Sequence, residues 1–485
     1  MKTIYKLLYT TIFGLSFSAC QYDFPELDTN APDPGEANFT KTVSVGNSIA
    51  AGYMDGALYN RGQRNSFIVI LAEQLKLAGG GEFNNPDINS ENGFYTMGSN
   101  GPLGRLILTT NPLTGSIGPA PIGPGDIPSA YTGDKSSLNN FAVPGITIGQ
   151  TLTPLTGGPA SGQNPAYNPL YARFASNPSQ STIIGDAAAA LANGGTFFSF
   201  SLGANDVLGY AVGGGSNPSI LTSDSDFQTR LSAALGALLN ANPAATGIVL
   251  NIPDMEILPY FNLVPWNAIP LSQSDADQAN RAYALYNGGL TQAATLGMIS
   301  EEEKEYRTIT FSAGQNAFVM EDESLTDLSA LGIPSIRQSK PGDKTTLTLA
   351  TALTPQENSP QRGIEFPVED EYVLIPSEQE EIKEKVSTFN AFIAAAVNAN
   401  SDRLVLVDIQ SYIREVALGN VSSGGVSLNA SIIPPGGGFS VDGIHPNGRG
   451  NAFIANLIID AINSKWNANI PKANPNAYVG NDLPQ

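Results

Sequence analysis

The chain has 485 residues, a formal net charge of −20, and only 14% charged against 41% hydrophobic residues, with 50 glycines and 34 prolines. That balance suits a folded core wrapped in many turns and excludes a disordered polymer; the acidic surplus excludes nucleic acid as a partner. A single cysteine, Cys20, excludes an internal disulfide and any thiolate zinc site, and a single histidine, His445, removes most other zinc schemes, so metal hydrolysis would need carboxylates alone and no metal is expected.

In chain order, MKTIYKLLYTTIFGLSFSAC carries Lys2 and Lys6, then an apolar run from Leu7 to Phe17, then small residues, the layout of a secretory signal too short to span a bilayer. Ser18, Ala19 and Cys20 resemble a bacterial lipobox, with Phe17 departing from the usual aliphatic residue. The segment 1–19 is therefore expected to be cut and Cys20 to be lipidated. Acyl chains at about 0.8 kcal/mol per buried methylene would then hold the exported protein on a membrane. Residues 20–38, rich in Asp, Glu and Pro from Gln21 to Glu36, read as anchor and solvated tether, and Gln21 after the cysteine resembles outer-membrane sorting.

The body is expected over 39–466, followed by a tail at 467–485. Lys41 to Gly46 alternates β-branched and small residues and stops at glycine, predicting a strand with Ser48 just past its end. Asn65 to Ala78 starts with two good caps and has apolar residues at helical spacing. Gly79 to Ser137, crowded with Gly, Pro, Asn and Thr, is expected to be a long excursion without core elements. Its acidic stretch Asp87 to Gly93 fails the calcium-loop frame and reads as a turn.

Asn140 to Val143 makes a short apolar approach to Pro144 and Gly145, and Thr196 to Leu202 reads as a buried strand ending at Gly203. Phe227 to Leu239 reads as a helix, Gly247 to Ile252 as a strand, Glu378 to Asn398 as a helix, and Arg403 to Ile409 as the last strand. Strands alternating with helices imply a parallel sheet. Between them, 253–377 is expected to be a β-rich insertion, with a helix near Asp275 to Leu290 and strand-like YRTITFSA, TTLTLATAL and EYVLI. Arg449 to Trp466 should close the fold as a packed helix.

Serine ester hydrolysis needs a nucleophilic hydroxyl, a base, a group orienting that base, and donors for the developing oxyanion. Ser48 in GNSIAAGY is the nucleophile candidate. In VDGIHPNGRG, Asp442 stands three residues before His445, where its carboxylate can hold one imidazole nitrogen while the other faces outward. Gly145 in NNFAVPGIT and Asn205 in FSLGAND follow strand ends and offer, with the Ser48 N–H, three oxyanion donors. Taken alone, Asn205 and Asp206 read rather as an Asx-type turn, and Gly145 as a turn glycine.

These four blocks, in this order, resemble the GDSL or SGNH hydrolase superfamily over about Lys41 to Asn463, excluding the long excursions. The resemblance implies a flavodoxin-like three-layer α/β/α sandwich and an acyl-enzyme esterase or lipase acting without a cofactor. It implies Ser48 as nucleophile, His445 and Asp442 as its partners, and Ser48, Gly145 and Asn205 as the oxyanion hole. Asn47 stands where the family usually has aspartate; asparagine keeps the shape and an acceptor oxygen but not the charge. An alternative is a lipid-anchored glycan- or partner-binding protein that displays the 253–377 insertion on a hydrolase body.

Overall fold

The structure is a computed structural model that describes residues 31–110, 117–355 and 359–483. The signal segment, Cys20 and most of the tether lie outside the described residues. No helix among the described residues is long and apolar enough to cross a membrane.

Four strands form the central sheet: β1 (Thr42–Gly46), β2 (Phe197–Ser201), β3 (Thr246–Leu250) and β4 (Leu404–Val407), all parallel and ordered β1-β2-β3-β4. Every residue of β1 and β2 is buried, because parallel strands are covered by helices on both faces. Asn139 to Val143 runs beside β1 as a fifth, irregular line. The Ser44 N–H donates to the Asn139 carbonyl at 2.8 Å, and the Phe141 and Val143 amides donate to Ser44 and Gly46 at 2.8 and 3.0 Å.

Helices Phe67–Leu77 (α1) and Gly448–Trp466 (α8) pack together, and α8 lies against β4. A second group, Ile183–Ala192 (α2), Asp224–Ala241 (α4) and Pro376–Asn398 (α6), packs through α4, with α2 on β1 and α6 on β4. Interspersed with these along the chain are Asn205–Val212 (α3), Gln273–Thr295 (α5) and Ile409–Ala417 (α7). Ser66 caps α1 by accepting the Val69 N–H, and Asn447 caps α8 by accepting the Gly450 N–H, so both helices begin where a side-chain oxygen meets an orphan amide. The result is a mixed α/β body with one large apolar core.

Several sequence expectations need correction. The Gly79 to Ser137 excursion contains two antiparallel ladders, Thr96–Gly98 with Gly101–Leu103 and Leu106–Thr110 with Ile117–Pro121, and Leu106, Ile107 and Leu108 are buried. The flanking glycines and prolines hid a short β-branched run. The insertion at 253–377 is mixed rather than β-rich: α5 and the helix Glu301–Arg307 outweigh its six short strands. In YRTITFSA the first two residues end a helix and the rest forms no ladder. TTLTLATAL turns helical at Leu349–Ala352, and of EYVLI only Val373–Leu374 is a strand. Only Thr345 of the threonine run finds a partner strand, pairing with Val373; beyond it the chain turns helical, so strand propensity alone does not extend the ladder.

The insertion builds a hydrophobic core of its own around Phe311, Phe318, Val319 and Met320. The tail is not free either. Asp33 and Asn469 bond to each other through their backbones, Asn481 donates to the carbonyls of Ile432 and Phe439, and Arg61 pairs with Asp482 at 3.0 Å. The described end of the tether is likewise docked, with the Glu36 N–H on the Trp466 carbonyl at 2.8 Å.

Candidate active site

The turn after β1 places Ser48. Asn47 has extended backbone (φ −98°) and caps a single helical turn, Ser48–Ala51, its side chain accepting the Ile49 N–H at 3.2 Å. Gly52 closes that turn in the left-handed region (φ +79°). A Cβ there would lie 2.6 Å from backbone atoms of Gly62 and Gln63, so the position needs glycine for both conformation and space. The amide of Asn47 thus performs the geometric task expected of it.

His445 comes from the other end of the chain. Its Nε2 lies 2.8 Å from Ser48 Oγ and its Nδ1 lies 2.9 Å from Asp442 Oδ2. Asp442 Oδ1 accepts the backbone N–H groups of Ile444 and His445, each at 2.9 Å, so one carboxylate oxygen folds the DGIH turn while the other faces the ring. Ser48, His445 and Asp442 are 6%, 8% and 8% exposed, which shields the relay from bulk water yet leaves it reachable.

Electrostatics follow from this packing. Burial pushes the Asp442 carboxyl up, but the adjacent His445 charge and the hydrogen bonds from its ring and from two amides outweigh it and bring the pKa down to about 2. The carboxylate stays charged at neutral pH and presents an acceptor to Nδ1. That favours the tautomer with a lone pair on Nε2, facing the serine hydroxyl.

Gly145 and Asn205 converge on the same end of the sheet. Ser48 follows β1, Gly145 follows the line Asn139 to Val143 on one side of β1, and Asn205 follows β2 on the other. Asn205 Nδ2 donates to the Ile146 carbonyl at 2.9 Å, tying the two loops together. Its second N–H, the Ser48 N–H and the Gly145 N–H have no partner among the described residues. Gly145 is exposed with φ +73°, and a Cβ there would meet nothing, so its glycine serves conformation rather than space.

Asp206, singled out as a turn residue, bridges loops instead. It is buried; one oxygen accepts the Ile148 N–H and the other the Thr222 hydroxyl, each at 2.9 Å. Burial pushes its pKa up to about 6, against the hydrogen bonds that lower it.

Sequence reasoning missed the hairpin that follows the Ser48 turn. Tyr53–Met54 pairs with Ala57–Leu58, and three of its residues reach the site. The Tyr53 ring lies 5.0 Å from the His445 ring at a 59° tilt. The Gly56 N–H donates to Asp442 Oδ2 at 2.9 Å, and Asp55 accepts the Val441 N–H at 3.0 Å. Asp55 (φ +56°) is buried and also accepts the Tyr59 hydroxyl at 2.6 Å, with Arg105 at 3.8 Å. The one sequence signal was DG at Asp55 and Gly56, a tight hairpin dipeptide.

The carboxylates able to share a cation among the described residues are Glu323, Asp370 and Glu378, in the insertion and the start of α6. Burial, then Glu323, push Asp370 up to about 7. Burial, against the Ile375 amide, pushes Glu378 up to about 8. None of the three bonds to a residue of the Ser48 site.

The chain matches no model of a known protein family and no curated protein. Any functional reading therefore stands on the site's own geometry.

Proposed function

We propose that the protein is a serine ester hydrolase of the GDSL or SGNH kind, built on a flavodoxin-like three-layer sandwich. The observation that carries the reading is the continuous hydrogen-bond relay from Ser48 Oγ through His445 to Asp442. It stands at the carboxyl ends of parallel strands, where α/β sheets bind ligands. The sheet order adds support: with Asn139 to Val143 counted beside β1, the order becomes 2-1-3-4-5.

In the reaction His445 Nε2 takes the Ser48 proton as Oγ bonds to the ester carbonyl carbon. The oxyanion rests on the N–H groups of Ser48 and Gly145 and on the Asn205 amide. Collapse breaks the bond to the alcohol oxygen, which leaves with the proton from His445. Water then gives a proton to His445, attacks the acyl-enzyme, and releases the acid as Ser48 recovers its proton. Asp442 orients the ring and offsets its charge throughout.

The enzyme is expected to be exported, with Cys20 carrying a lipid that holds it at the outer membrane. The second reading, a binding protein on a hydrolase body, draws on the insertion's separate core. Hydrolysis of p-nitrophenyl esters separates the two. The purified protein should turn over such esters and take up a fluorophosphonate probe, and Ser48→Ala should lose both. Robust labelling of Ser48→Ala would sink the assignment.

A further inference from the structure

A cavity of about 70 Å³ lies beside the relay, at the carboxyl ends of β2 and β3. Three of the four segments that carry the site contribute to its wall through neighbours of the site residues: Asn47 and Ile49 flank Ser48, Ile444 and Pro446 flank His445, and Ala204 precedes Asn205. The remaining wall is mostly aliphatic, with Ile252 and Leu258 on one part and Ile409, Ile413 and Val416 of α7 on another. Ile49, Ala204, Tyr412 and Ile444 on its wall are only half-buried.

Most of its side-chain polar atoms are already committed. No charged residue lines it. Asn47 caps the Ile49 amide, Asn251 bonds to Asp408 and to the Gln410 N–H, and the Tyr412 hydroxyl faces the Phe453 carbonyl. Only Ser201 Oγ is buried without a partner. A sugar needs several convergent donors and acceptors to replace its water, and this wall does not offer them. An aliphatic chain needs none and gains by leaving water.

We propose that this cavity receives the acyl tail of the ester, so that the substrate class is esters of short to medium fatty acids rather than O-acetylated sugars. The inference rests on Ser48 being the acylated nucleophile. The volume equals about five water-sized positions, which suits a tail of about four to six carbons.

The test is a series of p-nitrophenyl esters from acetate to decanoate with the full chain in mild detergent. From acetyl to hexanoyl, kcat/KM should rise about fourfold per methylene, then fall. Val416→Phe, which fills the cavity, should lower the hexanoyl-to-acetyl ratio of kcat/KM about tenfold or more. Val416→Ala, which enlarges it and does not depend on the larger side chain being accommodated, should move the optimum to longer chains. A flat or falling series from acetyl onward, with fluorophosphonate labelling of Ser48 intact, overturns the acyl-tail assignment and leaves the hydrolase reading in place. So does an unchanged chain-length profile in both variants. Absence of both labelling and hydrolysis at every length overturns the reading of Ser48 itself.

Discussion

Asp55 holds Val441, the residue before Asp442, through a 3.0 Å hydrogen bond from the Val441 N–H, while the next residue, Gly56, donates directly to Asp442 Oδ2. The acidic member of the relay is thus gripped by a hairpin that begins five residues after Ser48, although the two segments are nearly four hundred residues apart in sequence. Removing Asp55 leaves the buried Val441 N–H unpaired, at about 1–3 kcal/mol, and Arg105 without its carboxylate. Asp55→Ala should lower the unfolding free energy by about that amount and reduce kcat more than it raises KM. Urea unfolding and steady-state kinetics on one preparation check this. A fully active variant would show that the hairpin does not position Asp442.

Asn205 and Asp206 have separable tasks. Asn205→Ala removes one of the proposed oxyanion donors and should cost about 10²- to 10³-fold in kcat with little change in KM. Asp206→Ala releases the Ile148 amide and with it the loop that carries Gly145. It should lower the melting temperature as well as kcat, and by more than Asn205→Ala, which gives up one hydrogen bond to the Ile146 carbonyl where Asp206→Ala gives up two buried ones. Thermal unfolding of both variants beside their kinetics distinguishes the roles.

Asp442→Asn keeps the side chain's shape but presents an amide to the ring, disturbing the tautomer that faces Ser48. A loss of roughly 10⁴-fold in kcat is expected. With no second histidine in the chain, His445→Ala should be at least as damaging. Single-turnover acylation rates read both effects without interference from product release.

The same carboxylate predicts how stability depends on pH. Its pKa of about 2 in the folded protein lies below the ordinary value of about 3.9. Below the ordinary value the unfolded chain takes up the proton first, so acid favours unfolding. The contribution, on the order of 2 kcal/mol, is complete above about pH 4 and is lost as pH falls through about 2. Wild type and Asp442→Asn should therefore converge in unfolding free energy across that window. A gap that stays constant in urea titrations at pH 5, 3 and 2 would contradict it.

Gly52→Ala tests the Ser48 turn. The substitution places a Cβ at φ +79° and 2.6 Å from backbone on the facing Gly62–Gln63 segment, so the Ser48 turn must shift. A displacement of even about 1 Å at a reacting atom can cost about 100-fold. The variant should label slowly with fluorophosphonate and unfold earlier.

Much of the sheet was legible because its strands are continuous apolar runs closed by glycine, as in TVSVG and FFSFS, and because α1 and α8 carry large apolar residues at helical spacing. Helix α2 was not, since IIGDAAAALA offers few large side chains to mark a period, and α7 was hidden because its start overlaps the end expected for the last strand. The insertion was misread for a related reason: its threonine-rich stretches have strand propensity, but only Lys344–Thr345 acquires a partner strand, Val373–Leu374.

By itself the sequence determined which chemistry the chain could hold: one histidine, a carboxylate three residues before it, and a serine just after a buried strand. Those are local facts of residue type and spacing. Only the tertiary structure decided that Ser48 and His445 meet at 2.8 Å. It also brought Asp55 and Gly56 to the Asp442 turn and placed an aliphatic cavity beside the serine. Such contacts join segments distant along the chain, and a side chain's distant partners are set by how helices and strands pack, which no local pattern encodes.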